Sequence, residues 1–515
     1  MTFNLKLAMQ LDHLLAPFIL NAEPTIPDVN VKGLVTDNRD VEAGDCFIAL
    51  AGIHHHGKEF IADAITRGAS VILLEGESLL EAGSAQQAEI SYQDNVPVIE
   101  INNLNDLLNK ILIRFYQNAD GDQSSVFDMR LLGVTGTNGK SSITRFAAQM
   151  SHGLNQATGL MGTLGFGVWP NIAESKNTTP ELAVLLRQFA LMKAQGAKQV
   201  AMEVSSHGIE QKRIENLTFD SAVFSNLTQD HLDYHGDMEN YFAIKRELFL
   251  LPGLRNAIIN IDDEYGQRLL ADDAISANKI SYGFSADADV RVVSWQTTAS
   301  SISATITTPW GDASFTINMV GDFNLANVLA AISLLAVEEK FAFADIVESI
   351  KQITPAPGRM QTYVKASSAT AVIDFAHTPD ALKNVLTTLR KQTQGQLAVV
   401  FGCGGNRDAA KRPLMTQIAQ SLADRIVLTA DNPRAENLQT IIADMNTGLV
   451  VESDTNVATE LDRAKAIKLA LSDLKEGDVL LIAGKGHEAY QDIAGTKIPY
   501  SDESTLLALG YKEIV

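Results

Sequence analysis

MRLLGVTGTNGKSSITRFAAQM, residues 129–150, runs from an apolar segment through a glycine-rich turn into a helical pattern. The MRLLGV part reads as a buried strand and ITRFAAQM as the helix that follows it. Between them, the loop Gly133–Ser142 lets backbone amides approach phosphate oxygens. The helix N-terminus adds positive potential, and Lys140 can reach the terminal phosphates. Ser141 holds the position that a P-loop uses for Mg²⁺. The usual spacing would set the first glycine at Val134, so this is a variant of the P-loop. A simple turn before a helix is the alternative, but it leaves Lys140-Ser141 at the helix start without a reason. The stretch predicts an α/β nucleotide triphosphate site.

Downstream, KQVAMEVSSHG is an apolar strand ending at Glu203, where a P-loop protein often carries a metal-binding carboxylate. A carboxylate and an imidazole suit Mg²⁺ or Mn²⁺ beside phosphate and water, with His207 and His231 as the nearby histidines. Each histidine could equally be a hydrogen-bonded structural residue. The segment following Ser225 is dense in polar groups: Asp230, His231, Asp233, His235 and Asp237. Its spacing fits neither a zinc finger nor HExxH. Taken alone, Lys245 reads as a solvated surface lysine, and His54–His56 as a surface loop.

Strand-like runs alternate with helical segments along most of the chain, which predicts α/β domains with largely parallel sheets. At roughly 150 residues per domain, 515 residues make about three. The first block, 1–102, has strand-like pieces at Cys46–Leu50 and Ser70–Leu74, a helix near Glu59–Arg67 and the strand PVIEI. The break is placed before the helical NDLLNKILIRFY, near 103; the polar stretch Asn118–Ser125 is the other position for it. The second break is ITPAPGRM, where Pro355, Pro357 and Gly358 interrupt helical periodicity. The blocks are therefore 1–102, 103–357 and 358–515. In the last, ATAVIDFA, LAVVFGCG, RIVLTAD and DVLLIAG read as strands, with helices beginning near Pro379, Arg412, Asn437 and Thr459. Each strand ends in a polar cluster: His377–Asp380, Gly404–Asp408, Asp431–Arg434 and Gly484–Glu488. Singly these are turns and caps; beyond the carboxyl ends of parallel strands they would converge on one ligand crevice.

Composition narrows the class. Hydrophobic residues at 46% and charged residues at 20% exclude a mainly disordered chain. A net charge of −21 argues against non-specific nucleic-acid or anionic-membrane binding, so anionic substrates must meet local cationic pockets. Two cysteines, Cys46 and Cys403, are too few for a disulfide framework and suit a reducing cytosol. Only Lys6 precedes Asp12 and His13, unlike a signal peptide, and no apolar run reaches about 18 residues. A cytoplasmic enzyme or switch is expected.

Together, TGTNGKSS, EVSSHG, DHLDYHGDMENY with Lys245, GDFNLANVLAA, APGRM, DFAHTPDAL, FGCGGNRDAAKRPLM, ADNPRAEN and AGKGHE resemble the Mur ligase family, in the family's order. The likeness runs from TDNRDVEAGDCFIAL to AGKGHE. It implies three domains: an N-terminal one for a UDP moiety, a central ATPase and a C-terminal Rossmann-like domain for the incoming amino acid. By position it implies that Gly136, Thr137, Asn138, Gly139, Lys140, Ser141 and Ser142 hold ATP phosphates, with Ser141, Glu203 and His231 at Mg²⁺. Lys245 matches the family's carbamylated lysine. Asn324 and Asn327 resemble nucleotide-contacting asparagines, and Arg359, Asp374 and His377 lie where the C-terminal domain closes over ATP. Asn38, Thr178, Thr179, Ser205, Gln211 and Arg213 match positions for a UDP-N-acetylmuramoyl dipeptide. Arg407, Asp431, Asn432, Pro433, Arg434, Gly484 and Glu488 match a meso-2,6-diaminopimelate pocket.

The likeness has departures. Asp37-Asn38-Arg39 stands where the family often has Asp-Ser-Arg, Ile53-His54-His55 replaces a His-Gln-Ala type loop, and Pro180 follows Asn177-Thr178-Thr179 in place of glycine. The implied reaction joins diaminopimelate to the D-glutamate γ-carboxylate through an acyl phosphate formed with ATP. Rivals are a lysine-adding Mur ligase, a folylpolyglutamate-synthetase-like ligase, which the N-terminal block and ADNPR do not suit, and a non-catalytic P-loop switch. Arg434 is the residue expected to prefer diaminopimelate over lysine, since a guanidinium can bind its second carboxylate through two hydrogen bonds.

Overall fold

The computed structural model describes residues 7–19, 21–23, 25–52, 56–76, 87–118, 125–175, 177–298, 301–450 and 455–513. They form two compact units, Met1–Leu132 with Gln156–Asp220, and Gly133–Asn155 with Ser221–Val515. Residues Ile53, His54 and His55, and most of the polar stretch 118–125, lie outside the described residues.

In the first unit, Gly33–Val35, Asp45–Ala49, Val71–Gly76 and Val96–Asn102 pair in parallel, with Gln87–Gln93 antiparallel to the last. The expected strands and helix of this block are all present, the helix as Ile61–Thr66 behind a 3₁₀ turn at Gly57–Phe60. Phe47, Ile61, Ala64 and Ile72 fill the layer between them. The helix Leu104–Asn118, expected to pack onto the following sheet, touches the strand Val71–Gly76 and the helix Leu182–Ala194. Arg187 on that helix pairs with Asp45 at 2.8 Å and Glu42 at 2.7 Å. Thr158–Gly162 and Gln199–Glu203 are parallel neighbours in the same unit.

The strand Arg130–Thr135 leads the chain into the second unit. There, Ser221–Phe224, Asn256–Asn260 and Asn278–Gly283 are parallel. The sheets are largely parallel as expected, and the exception lies beyond these strands: Val290–Thr297, Ile302–Thr308 and Gly311–Ile317 form an antiparallel ribbon. Along Ile302–Thr308 alternate side chains are buried, the period-2 pattern of a strand with one wet face. The helix Asp322–Ala336 is apolar almost all round and therefore sits inside, packed on the helix Lys140–Gly153.

The C-terminal sheet has strands in the order Asn456–Thr459, Arg425–Leu428, Leu397–Phe401, Val479–Ala483, Thr370–Asp374, Gln361–Val364 and Lys512–Glu513. The four expected strands are its parallel centre, and the helices begin at Pro379, Lys411, Leu438 and Arg463. Both cysteines are free, buried thiols; burial pushes Cys403 up to about 12. Among the described residues no helix is long and apolar enough to cross a membrane.

Candidate active site

Val134 stays within its strand, and the phosphate loop begins at Gly136. Gly136 has φ +140°, and a Cβ there would meet Ser225 Oγ at 2.0 Å; Gly139 has φ +90°, and a Cβ would meet Asn327 Oδ1 at 2.5 Å. Both glycines are required by conformation and by space. Gly139 is the N-cap of the helix Lys140–Gly153 and has no side chain with which to cap it. The first amides of the helix are therefore available to an anion. The loop is held by its neighbours: Asn138 N donates to Asn226 Oδ1 at 2.9 Å, and Thr137 N to Asn226 O at 2.9 Å. The Lys140 ammonium folds back onto the carbonyls of Gly136 and Thr137, each at 2.8 Å.

Behind the loop lies Lys245, which is only 1% exposed, contrary to its reading as a solvated surface lysine. The helix Met238–Arg246, capped by Asp237, turns it inward, where Nζ donates to Gly136 O at 3.0 Å and lies 4.7 Å from the centre of the Tyr241 ring. Burial and then the charge of Lys140 push the Lys245 ammonium well below its ordinary value. The polar set after Ser225 separates into different tasks. His235 stacks on Tyr241, Asp233 is exposed, and Asp230 is buried among a lysine and two histidines. Asp230 lies 3.2 Å from Lys411 Nζ, 3.3 Å from His231 Nε2 and 3.7 Å from His377 Nε2. Burial opposes its ionisation, but His377, Lys411 and His231 outweigh that and hold the carboxyl well below the usual carboxylate range.

A cavity of ≈ 420 Å³ joins Asn138, Gly139 and Ser142 of the loop to Asn324, Asn327, Arg359 and Asp374. Asn324 and Asn327 sit one turn apart on their helix, and Asn324 donates to Val320 O at 2.8 Å. Asp374 accepts from the amides of Met360 and Ala376, both at 2.8 Å, and burial raises its carboxyl. The Arg359 guanidinium lies over the Phe375 ring. Asn260, Tyr282 and Asn384 also line this cavity; nothing in their sequence context marks them, since separate strands and a helix bring them there.

In the first unit, Glu203 is 1% exposed and accepts from Thr163 N at 2.8 Å. Around it, Thr178 Oγ1 lies 2.9 Å from Thr163 Oγ1, Thr179 Oγ1 donates to Glu203 O, and Ser205 N donates to Thr179 Oγ1. Arg213 donates to Thr179 O and to Gln211 Oε1, each at 2.6 Å. These five dipeptide candidates thus form one hydrogen-bonded group. Asn38 is elsewhere engaged, donating to Asp63 at 2.8 Å. His207 lies in the helix Ser206–Glu210 of this unit, and His56 caps the turn Gly57–Phe60 through Nδ1. Among the described residues, no three His, Cys, Asp or Glu side chains converge as a metal cluster.

The four strands are parallel, so their carboxyl ends lie on one edge of the sheet, and three of the four clusters are joined there by hydrogen bonds. Arg434, with φ +52°, donates to Gly405 O at 2.9 Å; Asn432 donates to Glu488 Oε2 at 2.9 Å. Arg407 is solvent-exposed, yet partial desolvation by its surroundings and then the charge of Arg434 lower its guanidinium. Pro433 O would clash with a Cβ on Gly405 at 1.9 Å, and Gly484 faces Asp431. Lys411 and Lys485 of this half are buried, which their polar sequence motifs do not signal.

This geometry defines a nucleotide-binding α/β protein with a P-loop variant and an adjoining Rossmann-like rim. Three family models match the chain: Mur ligase family catalytic domain over 30–116, Mur ligase middle domain over 134–335, and the Mur ligase glutamate ligase domain over 358–486. The chain belongs to the Mur ligase family. It is 41% identical over 480 residues to the UDP-N-acetylmuramoyl-L-alanyl-D-glutamate–2,6-diaminopimelate ligase of Coxiella burnetii, covering 92% of this chain and 94% of the relative. The Pseudomonas aeruginosa protein of that name is 40% identical over 476 residues, with the same coverage. A solved ligase of that name aligns over 97% of this chain and 98% of its own, with 32% identity and a TM-score of 0.63. MurF from Acinetobacter baumannii, at 16% identity, shares the fold with a TM-score of 0.69 over 98% and 99% of the two chains.

Proposed function

We propose that this protein is an ATP-dependent ligase that adds meso-2,6-diaminopimelate to the D-glutamate γ-carboxylate of UDP-N-acetylmuramoyl-L-alanyl-D-glutamate, in cytoplasmic peptidoglycan precursor synthesis. The observation that carries the reading is the ≈ 420 Å³ cavity that sets the phosphate loop against Asn324, Asn327, Arg359 and Asp374. The names borne by relatives with about 40% identity supply the substrates.

A carboxylate oxygen is a poor leaving group and must be activated. The γ-carboxylate attacks the γ-phosphoryl group of ATP, giving an acyl phosphate and ADP. The diaminopimelate amine then adds to the acyl carbon, and the tetrahedral intermediate expels phosphate. Lys140 and the loop amides stabilise charge on the transferring phosphoryl group. Thr178, Thr179, Ser205, Gln211 and Arg213 are assigned to the dipeptide substrate. Arg407, Asp431, Asn432, Pro433, Arg434, Gly484 and Glu488 are assigned to the amino acid, and His377 to ordering the nucleotide side of the C-terminal half. A hydroxyl and an imidazole suit a hard divalent cation whose other ligands are water and phosphate oxygens. In the second unit, Ser141 and His231 would be the side chains that hold it. Bound Mg²⁺ would neutralise charge on the phosphates. Lys245 is assigned the carbamate, a reading supported by its burial, which favours the neutral amine that attacks CO₂.

Mass analysis of the product from a panel of UDP-dipeptide, amino acids and ATP tests the reading. ADP release that depends on both other substrates is expected. Nucleotide hydrolysis indifferent to them would leave a P-loop switch, and a lysine or glutamate adduct would move the protein to another branch of acid–amino-acid ligases.

A further inference from the structure

We propose that Lys485 is a positioning residue for the amino-acid substrate: its buried ammonium orients Glu488 and Asn432 so that one Glu488 oxygen is presented to the substrate's ammonium. The inference rests on the assignment of the C-terminal rim to the amino acid. Lys485 is 0% exposed, and its Nζ lies 2.8 Å from Glu488 Oε2, 3.1 Å from Asn432 Oδ1 and 3.6 Å from Asp431 Oδ1. The donors of one ammonium thus serve acceptors from two strand ends, Asp431–Asn432 and Glu488.

The arrangement fixes which atoms remain for a ligand. Glu488 Oε2 accepts from both Lys485 Nζ and Asn432 Nδ2, while Oε1 has no hydrogen-bond partner among the described residues. Asn432 cannot turn its amide over, because Oδ1 also accepts from Asp492 N at 2.9 Å and a flip would face its NH₂ toward the ammonium. Glu488 and Asp431 both face the Lys485 ammonium, and Glu488 Oε1 is the acceptor left for a substrate ammonium.

The backbone beneath is pinned separately. Arg463, 0% exposed in its side chain, pairs with Asp502 and donates to the carbonyls of Ala430 and Ala483, the residues just before Asp431 and Gly484. Removing one partner of a buried ion pair is destabilising, so Lys485→Met is expected to lower the unfolding midpoint. The Arg463 bonds keep the strand ends in place without Lys485.

The test is steady-state product formation with each substrate varied in turn, on the parent, Lys485→Met, Glu488→Gln and the double variant, with thermal unfolding of each. Lys485→Met should raise KM for meso-diaminopimelate about 30-fold, the scale of lost charge-assisted hydrogen bonds. KM for ATP and the UDP-dipeptide should stay within about twofold. In the Glu488→Gln background the same substitution should cost less than about threefold, because the group it orients is already changed. If Lys485→Met loses its unfolding transition, the same measurements are read on Lys485→Gln. An unchanged diaminopimelate KM, a rise shared by all three substrates, or an equal loss in the Glu488→Gln background would each overturn the role of Lys485. A parent enzyme that makes no diaminopimelate product at all overturns instead the functional reading beneath it.

Discussion

The phosphate loop and the C-terminal rim lie in one unit and are built in opposite ways. The loop Gly136–Ser142 is one continuous stretch that works through its main chain. Two glycines admit a backbone that no Cβ could follow, and Lys140 is parked on carbonyls of its own loop. The rim takes side chains from three strand ends, Asn406–Arg407, Asp431–Arg434 and Gly484–Glu488, and sets them by buried ion pairs and hydrogen bonds. A loop made of amides recognises any phosphate, whereas a pocket made of fixed charges can distinguish two amino acids.

If that contrast is right, the largest effect should be discrimination at the rim. Sites built for a polar group reject analogues that lack it by about 10⁴-fold. The parent should therefore prefer meso-diaminopimelate over L-lysine by about that factor in kcat/KM, and Arg434→Ala should selectively lose diaminopimelate use. Comparable kcat/KM for both amino acids in the parent would break the contrast.

At the loop, Lys140→Ala should lower kcat by about 10³-fold with the unfolding midpoint unchanged, since no apolar core is removed. Near-normal turnover in the folded variant would take Lys140 out of the chemistry.

The Asp230 hub ties its own segment to His377 and Lys411 of the C-terminal sheet region within the same unit and should answer as a buried ion pair. Its depressed carboxyl stabilises the fold fully above the unfolded value of about 4, and that stabilisation is lost as pH falls through the still lower folded value. Asp230→Asn should therefore cost about 3 kcal/mol at pH 7, a gap that narrows in acid. A pH-independent difference in denaturant titrations would contradict the ion-pair account.

The smallest of the four effects is expected at Lys245→Ala, about 10²-fold in ADP formation. Added formate or acetate should recover part of it by supplying the missing carboxylate. Full activity, indifferent to CO₂ and to carboxylates, would remove the proposed carbamate.

How much of this was legible in the sequence follows from the same contrast. The phosphate loop was readable because strand, glycines, lysine and helix start are consecutive, and each has a local reason for its place. The four C-terminal strands and their polar ends were readable for a related cause: apolar runs of a parallel sheet are buried on both faces, so they stand out between amphipathic helices. The antiparallel ribbon Val290–Ile317 was not, because half of its residues face water and its apolar runs are broken.

Pattern and order by themselves determined the α/β class, the nucleotide loop, the family and the residue types that meet on the rim. Only the tertiary structure decided that Lys245 is buried behind the loop, that Asp230 gathers His231, His377 and Lys411, and that Lys485 lies beneath Glu488. The physical reason is that a lone lysine or aspartate carries no periodicity. Whether it is solvated or buried among partners depends on chain segments as far as 181 residues away, and the cost of burying a charge is met only once those segments have folded against it.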